Sequence, residues 1–313
     1  MTLRLVGDVG GTNCRFAVFD ADKEVAEPKA FKVADHPTLE DAIDRYLQET
    51  DARPTQAVIA VAGTVKDGLA ELTNAPWDMS EAHLRQHGFK SARLLNDYEA
   101  LALSVDLLTD KDLGDIGGVR STRPKATIAI VGAGTGLGVG ALVRDAQGDA
   151  VAVTEGGHIA FAPTDETEIE VLKILTARFG RTSLERILSG PGLVNLYEAL
   201  AQIGGHKAED LKPEDIEDRA DQGDLLADQA LKRFCRIYGA AAGDFALAFG
   251  AFGGVYLGGG IAGKIMDRLR DGAFREGFED KGRFRDYCAA IPTKAILHPY
   301  AALLGAAAAR IDG

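Results

Sequence analysis

The spacing of apolar residues switches between two periods along the chain, and the switches mark its elements. Short runs rich in β-branched and aromatic residues at 3–8 (LRLVGD), 14–20 (CRFAVFD) and 27–33 (EPKAFKV), each bounded by glycine or acidic residues, predict three successive strands. Thr38 then opens TLEDAIDRYLQET. Asp41 follows it in the manner of a capping box, and Leu39, Ile43 and Leu47 are spaced to share one helix face. The apolar run AVIAVAG (57–63) suits a strand covered on both sides. SARLLN (91–96) reads as a strand passing straight into a helix, DYEALALSVDLL, with Ala100, Leu103 and Leu107 at helical spacing. Residues 110–124, rich in Asp, Gly, Ser and Pro, read as a boundary.

Beyond that boundary the opening of the chain recurs in outline. VGDVGGTNCRFAVF (6–19) and IVGAGTGLGVGALV (130–143) each read as apolar strand, glycine turn with a threonine, apolar strand. Two domains that each begin with such a hairpin are therefore expected. The pattern continues with a strand at 150–154 and helices at 166–179, 183–189, 192–203 and 225–249. A glycine-tipped strand at 253–260 leads into a helix near 261–270. The most membrane-like stretch, 237–263, is interrupted by Asp244 and glycine-rich in its second half, so it predicts a packed helix and a buried strand rather than a span.

Composition narrows the function. A chain of 313 residues, 46% of them apolar, suggests two domains with cores that need no disulfide or metal staple. The net charge of −12 comes without a basic stripe, which argues against a nucleic-acid partner or an anionic membrane surface. Cys14, Cys235 and Cys288 are an odd set without metal-ligand spacing, and the first residues lack a signal-peptide pattern, so a cytoplasmic, reducing setting is expected. Glycine is in excess, 37 residues where about 7% is usual, and 18 of the 37 fall in five short clusters.

Those clusters carry the candidate chemistry. Gly7, Asp8, Val9, Gly10, Gly11, Thr12 and Asn13 form one turn region, and Gly132, Gly134, Thr135 and Gly136 form another. Consecutive backbone N–H groups without Cβ atoms can cradle phosphates. Neither region is a P-loop or a dinucleotide fingerprint, since no GxxxxGK[ST] occurs and position 137 is leucine. Each alone could be a plain hairpin. The pair with matching flanks, together with Gly258, Gly259 and Gly260 before a helix, predicts a nucleotide site. Asp8, at the end of the first strand, is either a Mg²⁺ carboxylate, direct or through water, or a turn residue. Asn96 and Asp97 lie between strand and helix, where α/β sheets place ligands. Asn96 is also a natural N-cap with Glu99 three residues on, and a carboxylate held at Asp97 could accept a proton from a substrate hydroxyl. Glu155 and His158 bracket two glycines after a strand, and Glu185 sits in the short helix expected at 183–189. Such side chains suit vicinal hydroxyls if they converge, and singly they read as loop and surface residues. No cysteine or histidine set near His158 supports zinc.

Taken together, LVGDVGGTN, TNAPW (73–77), LLNDYEA (94–100), GAGTGLG (132–138), EGGH, LERILSGPGL (184–193), GGVYLGGGI and FEDKGRF (278–284) resemble the bacterial ATP-dependent glucokinases of the non-zinc type, in order and over essentially the whole chain. The resemblance implies an α/β, two-domain actin/hexokinase-like (ribonuclease H-like) fold with a cleft. The small domain would be 1–108 plus 298–313 and the large domain 109–297. It further implies that Asp97 is the general base toward the sugar 6-hydroxyl. Asn74, Asn96, Glu155, His158 and Glu185 would lie at the glucose, the two glycine turns at the phosphates, and Gly258 to Gly260 near adenosine. ATP and Mg²⁺ without zinc, and a homodimer, are the family expectations. Tyr98 stands where the family more often has Phe. The nearest alternative is a fructokinase-like sugar kinase. A sugar-responsive regulator would need a DNA-binding segment ahead of the first strand, which is expected to begin at residue 3.

Overall fold

A meander of β1 (Arg4–Val9), β2 (Asn13–Phe19) and β3 (Ala26–Lys32) opens the fold. The computed structural model describes residues 3–20, 25–72, 77–119, 125–146 and 148–311, so Asn74 lies outside the described residues. The helix α1 (Leu39–Thr50) begins at Thr38, whose hydroxyl oxygen accepts the Asp41 amide at 3.1 Å and whose O–H is donated to the Asp41 carboxylate. Then come β4 (Gln56–Val61) and a small sheet of β5 (Gly63–Lys66), β6 (Leu69–Leu72) and β7 (Met79–Ser80). The helix α2 (Glu81–Gln86), β8 (Ser91–Asn96) and α3 (Asp97–Ser104) follow. The main sheet has the order β3-β2-β1-β4-β8, antiparallel through β1 and parallel from β1 onward.

The second stretch builds a sheet on the same plan. Its strands are β9 (Leu113–Gly117), β10 (Ile128–Ala133), β11 (Leu137–Asp145) and β12 (Gly148–Thr154). The helices α4 (Glu166–Phe179), α5 (Gly190–Ile203), α6 (Pro213–Asp221) and α7 (Leu225–Phe249) lead to β13 (Gly254–Gly258). Next come α8 (Gly259–Lys264), α9 (Met266–Arg270), α10 (Ala273–Glu279), α11 (Arg285–Ala289) and β14 (Thr293–Ile296). The order β12-β11-β10-β13-β14 repeats that of the first sheet, antiparallel through β10 and then parallel, and β9 adds an antiparallel edge. The chain divides into two compact units, Met1–Thr109 with His298–Gly313, and Asp110–Leu297. The last helix, α12 (Ala301–Ala308), packs on α3 and on the first sheet.

Two-residue alternation explains why the first sheet is apolar on both faces. Leu5, Val9, Ile59 and Val61 join the core under α1, while Val6, Val58 and Ala60 join Leu303, Ala306 and Ala307 of α12. In the second unit α7 crosses the core, burying Phe234, Tyr238 and Phe245.

Several elements differ from the expectations. Residues 183–189 form only one 3-10 turn, Leu184–Arg186, because the backbone leaves helical geometry at Ile187, with φ −121°, and Ser189 is already the extended N-cap of α5. The boundary read at 110–124 contains the turn Asp110–Asp112 and β9, whose LGDIG sequence is a poor strand former held by pairing with β14. The helix expected at 261–270 begins at Gly259 and breaks at Ile265, and the one after Asn96 stops at Ser104 before a 3-10 turn.

Tyr238 ties α7 to the strand ahead of the second glycine turn. Its buried hydroxyl donates to the Val131 carbonyl at 2.9 Å and accepts the Ala133 amide at 3.2 Å. Tyr238→Phe leaves both backbone groups without that partner in the interior, and a loss of about 1–3 kcal/mol is expected. A lowered midpoint of chemical denaturation is the measurement.

Candidate active site

Across β1, β4 and β8, Val9 stands opposite Val61 and Val61 opposite Asn96. The 10–13 turn and the start of α3 thus leave the same, carboxyl-terminal edge of the sheet, about 10 Å apart at two strand spacings. That edge is where α/β sheets hold ligands. The Gly10 amide donates to the Asn13 carbonyl at 3.0 Å and closes the turn, leaving Gly11, Thr12 and Asn13 exposed. Gly7 and Val9 are buried within β1, so of this group they serve packing. Asp8 lies between them and pairs with Arg15 at 3.1 Å, a partner the sequence reading missed although it sits directly opposite in the hairpin register.

At the other end of that edge, Asn96 caps α3. Its side-chain oxygen accepts the Tyr98 amide at 2.9 Å, and its nitrogen donates to the Gly63 carbonyl at 2.9 Å. Asp97 Oδ1 also accepts the Tyr98 amide, at 3.0 Å. Glu99 takes the Asn96 amide and pairs with Arg93 at 2.6 Å, while its burial raises its carboxyl above the ordinary range. Asp97 is therefore carried on a helix start held from both sides.

In the second unit, Gly132 pairs with Gly258, so the 132–136 turn and the start of α8 lie side by side at strand ends. The Gly134 amide bonds the Gly136 carbonyl and the Gly134 carbonyl accepts the Gly190 amide, both at 2.8 Å. Gly259 has a left-handed φ of 79°, and a Cβ there would stand 2.3 Å from the Ala133 oxygen, so this position requires glycine. Space beside Gly260 is open.

Glu155, His158 and Glu185 come together in the same unit. His158 Nε2 lies 3.8 Å from Glu155 Oε2, and its Nδ1 lies 4.0 Å from Glu185 Oε1. The side chains are 72%, 59% and 33% exposed in the order Glu155, His158, Glu185, so all three remain open to a ligand. The turn that carries them is held by residues the sequence reading did not single out. Thr154 donates to the Val139 carbonyl at 2.8 Å and accepts the Gly156 amide, and Arg181 donates to the His158 carbonyl at 2.9 Å. A threonine directly before EGGH was the available signal for the first. The second crosses 23 residues and had none.

Among the described residues no three His, Cys, Asp or Glu side chains gather as a metal cage. Asp8 is a single hard oxygen donor at a glycine turn. This fits Mg²⁺, which takes one or two carboxylates and completes its shell with phosphate oxygens and water. All three cysteines are buried, and burial pushes the Cys14 thiol up to about 11 and the Cys235 thiol up to about 12, so these thiols are protonated at neutral pH.

The family model described as Glucokinase matches residues 5–312. The chain belongs to the glucokinase family. A glucokinase from Caulobacter sp. (strain K31) is 49% identical over 312 residues, covering 98% of this chain and 94% of the relative. The crystal structure of a glucokinase from an Antarctic psychrotroph is 36% identical, with a TM-score of 0.90 over 98% of both chains. At 20% identity, the glucokinase of Balamuthia mandrillaris in complex with glucose shares the fold, with a TM-score of 0.80 over 98% of this chain and 92% of its own. The fold is thus the actin/hexokinase-like α/β fold, and the activity is that of a glucokinase, an ATP-dependent hexose kinase.

Asp8 carries a stability cost in this glucokinase-family fold. Burial raises its carboxyl above the ordinary aspartate range against the opposing pull of Arg15, so the folded chain holds a proton there more readily than the unfolded chain does. The ionised form therefore costs stability above the raised value, and the cost disappears below the unfolded value of about 4. Asp8→Asn is expected to raise the thermal midpoint of the ligand-free protein at pH 7 and to leave it unchanged below about pH 4. Thermal melts across that pH range are the check.

Proposed function

We propose that Asp97 is the general base of glucose phosphorylation and that Glu155, His158 and Glu185 hold the sugar hydroxyls, with Asn96 and Asn74 completing the set. The observation that carries the sugar assignment is the convergence of two carboxylates, each within 4.0 Å of one imidazole and open to solvent, with the imidazole on a turn fixed by backbone bonds. Carboxylates accept hydroxyl protons and an imidazole can accept or donate, so the group suits a polyol.

Phosphoryl transfer passes through a loose transition state, so alignment and charge neutralisation matter more than base strength. The start of α3 favours the Asp97 carboxylate, which takes the 6-hydroxyl proton as that oxygen bonds the γ-phosphorus and ADP leaves. Backbone N–H groups of the turns at 10–13 and 132–136 would hold phosphate oxygens, with Gly258, Gly259 and Gly260 toward adenosine. Asp8, directly or through water, would hold Mg²⁺, which when bound neutralises phosphate charge. In this reading no zinc is used. The buried, unpaired thiols accord with a reducing cytoplasm. The homodimer expected of the family is a matter for sedimentation.

Asp97→Asn is expected to lower kcat by about 10²- to 10⁴-fold in a coupled ADP assay. Calorimetry should find glucose affinity nearly retained. A variant that keeps its turnover would remove the base assignment. A hexose panel with MgATP should rank glucose above fructose, and the reverse order would favour the fructokinase-like alternative.

A further inference from the structure

The carboxylate of Glu185 faces two ways. Oε1 lies 4.0 Å from His158 Nδ1, on the sugar side, while Oε2 accepts the backbone amide of Leu137 at 3.0 Å. Leu137 opens β11 directly after the 132–136 turn. Its amide and its carbonyl are approached from two different segments. A Cβ on Gly157, between Glu155 and His158, would stand 1.9 Å from the Leu137 oxygen, and one on Gly136 would stand 2.5 Å from Glu185 Oε2. The backbone of Glu185 is anchored too, since its carbonyl accepts the Ser189 hydroxyl at 2.8 Å and Ser189 caps α5. The residue after that cap, Gly190, bonds back to the Gly134 carbonyl at 2.8 Å. The segments that carry Glu155, His158 and Glu185 and the second glycine turn thus meet at one residue, Leu137.

We propose that Glu185 couples sugar binding to nucleotide binding, its carboxylate holding the Leu137 amide and with it the shape of the phosphate turn. The inference rests on the assignments of Glu185 to sugar and of the 132–136 turn to phosphate. The physical basis is conformational freedom. Glutamate has a rotamer-rich side chain, and ordering it to hold the Leu137 amide costs entropy. A sugar hydroxyl donated to Oε1 meets that cost in advance, so the charge-assisted bond at Oε2 holds the turn more firmly. Linkage makes the effect reciprocal, and nucleotide on the turn tightens sugar by the same factor.

The test is calorimetric binding of AMPPNP to the full chain, with and without glucose. Glucose should tighten AMPPNP about fivefold or more in the unmodified protein. Glu185→Ala should weaken AMPPNP about three- to tenfold without any sugar present, and should bring the glucose effect close to none. A residue that only touches sugar would not move the sugar-free value. Glu185→Gln retains an acceptor oxygen for Leu137 and should keep sugar-free AMPPNP binding within about twofold. Gly136→Ala presses on the same bond from the turn side and should weaken AMPPNP even where Glu185→Ala folds poorly. Unchanged sugar-free AMPPNP binding in Glu185→Ala or Gly136→Ala overturns the coupling and leaves the sugar assignment standing. Unchanged glucose binding in Glu185→Ala overturns the sugar assignment instead.

Discussion

Covering both faces of a parallel strand set forces its chemistry to the strand ends. In the first sheet, α1 lies over Leu5, Val9 and Ile59, and α12 lies over Val6, Val58 and Ala60, so the strand interiors meet no ligand. What remains polar is the carboxyl-terminal edge, where backbone leaves the ladder and its N–H groups are turned outward. The register then does the placing. Val9, Val61 and Asn96 share one row, and Gly132 and Gly258 share another, so each unit carries a glycine turn and a helix start along the same strand-end edge.

The proposed nucleotide site bears on how an acidic protein handles an anionic ligand. A net charge of −12 opposes ATP at long range, yet at physiological salt charges beyond about 8 Å are largely screened. Under the proposed assignment, short-range donors decide, and they are backbone amides on turns rather than lysine or arginine side chains. The acid groups near the turns have their own partners: Asp8 pairs with Arg15 and Glu99 with Arg93, while Glu185 is engaged by the Leu137 amide.

Glycine has two kinds of work here. Some positions leave room at the surface, as beside Gly260, where nothing stands within 4 Å. Others allow backbone to press on backbone, as where Gly157 meets Leu137. The second kind matters as much as the first, because it joins the Glu155–His158 turn to the strand that follows the 132–136 turn. Counting glycines could not separate the two uses, since both raise the composition alike.

Much of the local structure was determined by sequence alone. Thr38 and Asn96 start helices because their side-chain oxygens reach amides two or three residues on, and that chemistry is local. The paired hairpins and the family were legible for a related reason, since each depends on short contiguous patterns such as GAGTGLG and LLNDYEA. Tertiary structure alone decided the rest. The strand Leu113–Gly117 exists because Thr293–Ile296 offers it a ladder. His158 with Arg181 and Glu185 with Leu137 are likewise contacts across 23 and 48 residues. Local pattern sets which residues can cap, turn or alternate, whereas a bond between distant residues forms only when packing brings its two ends together.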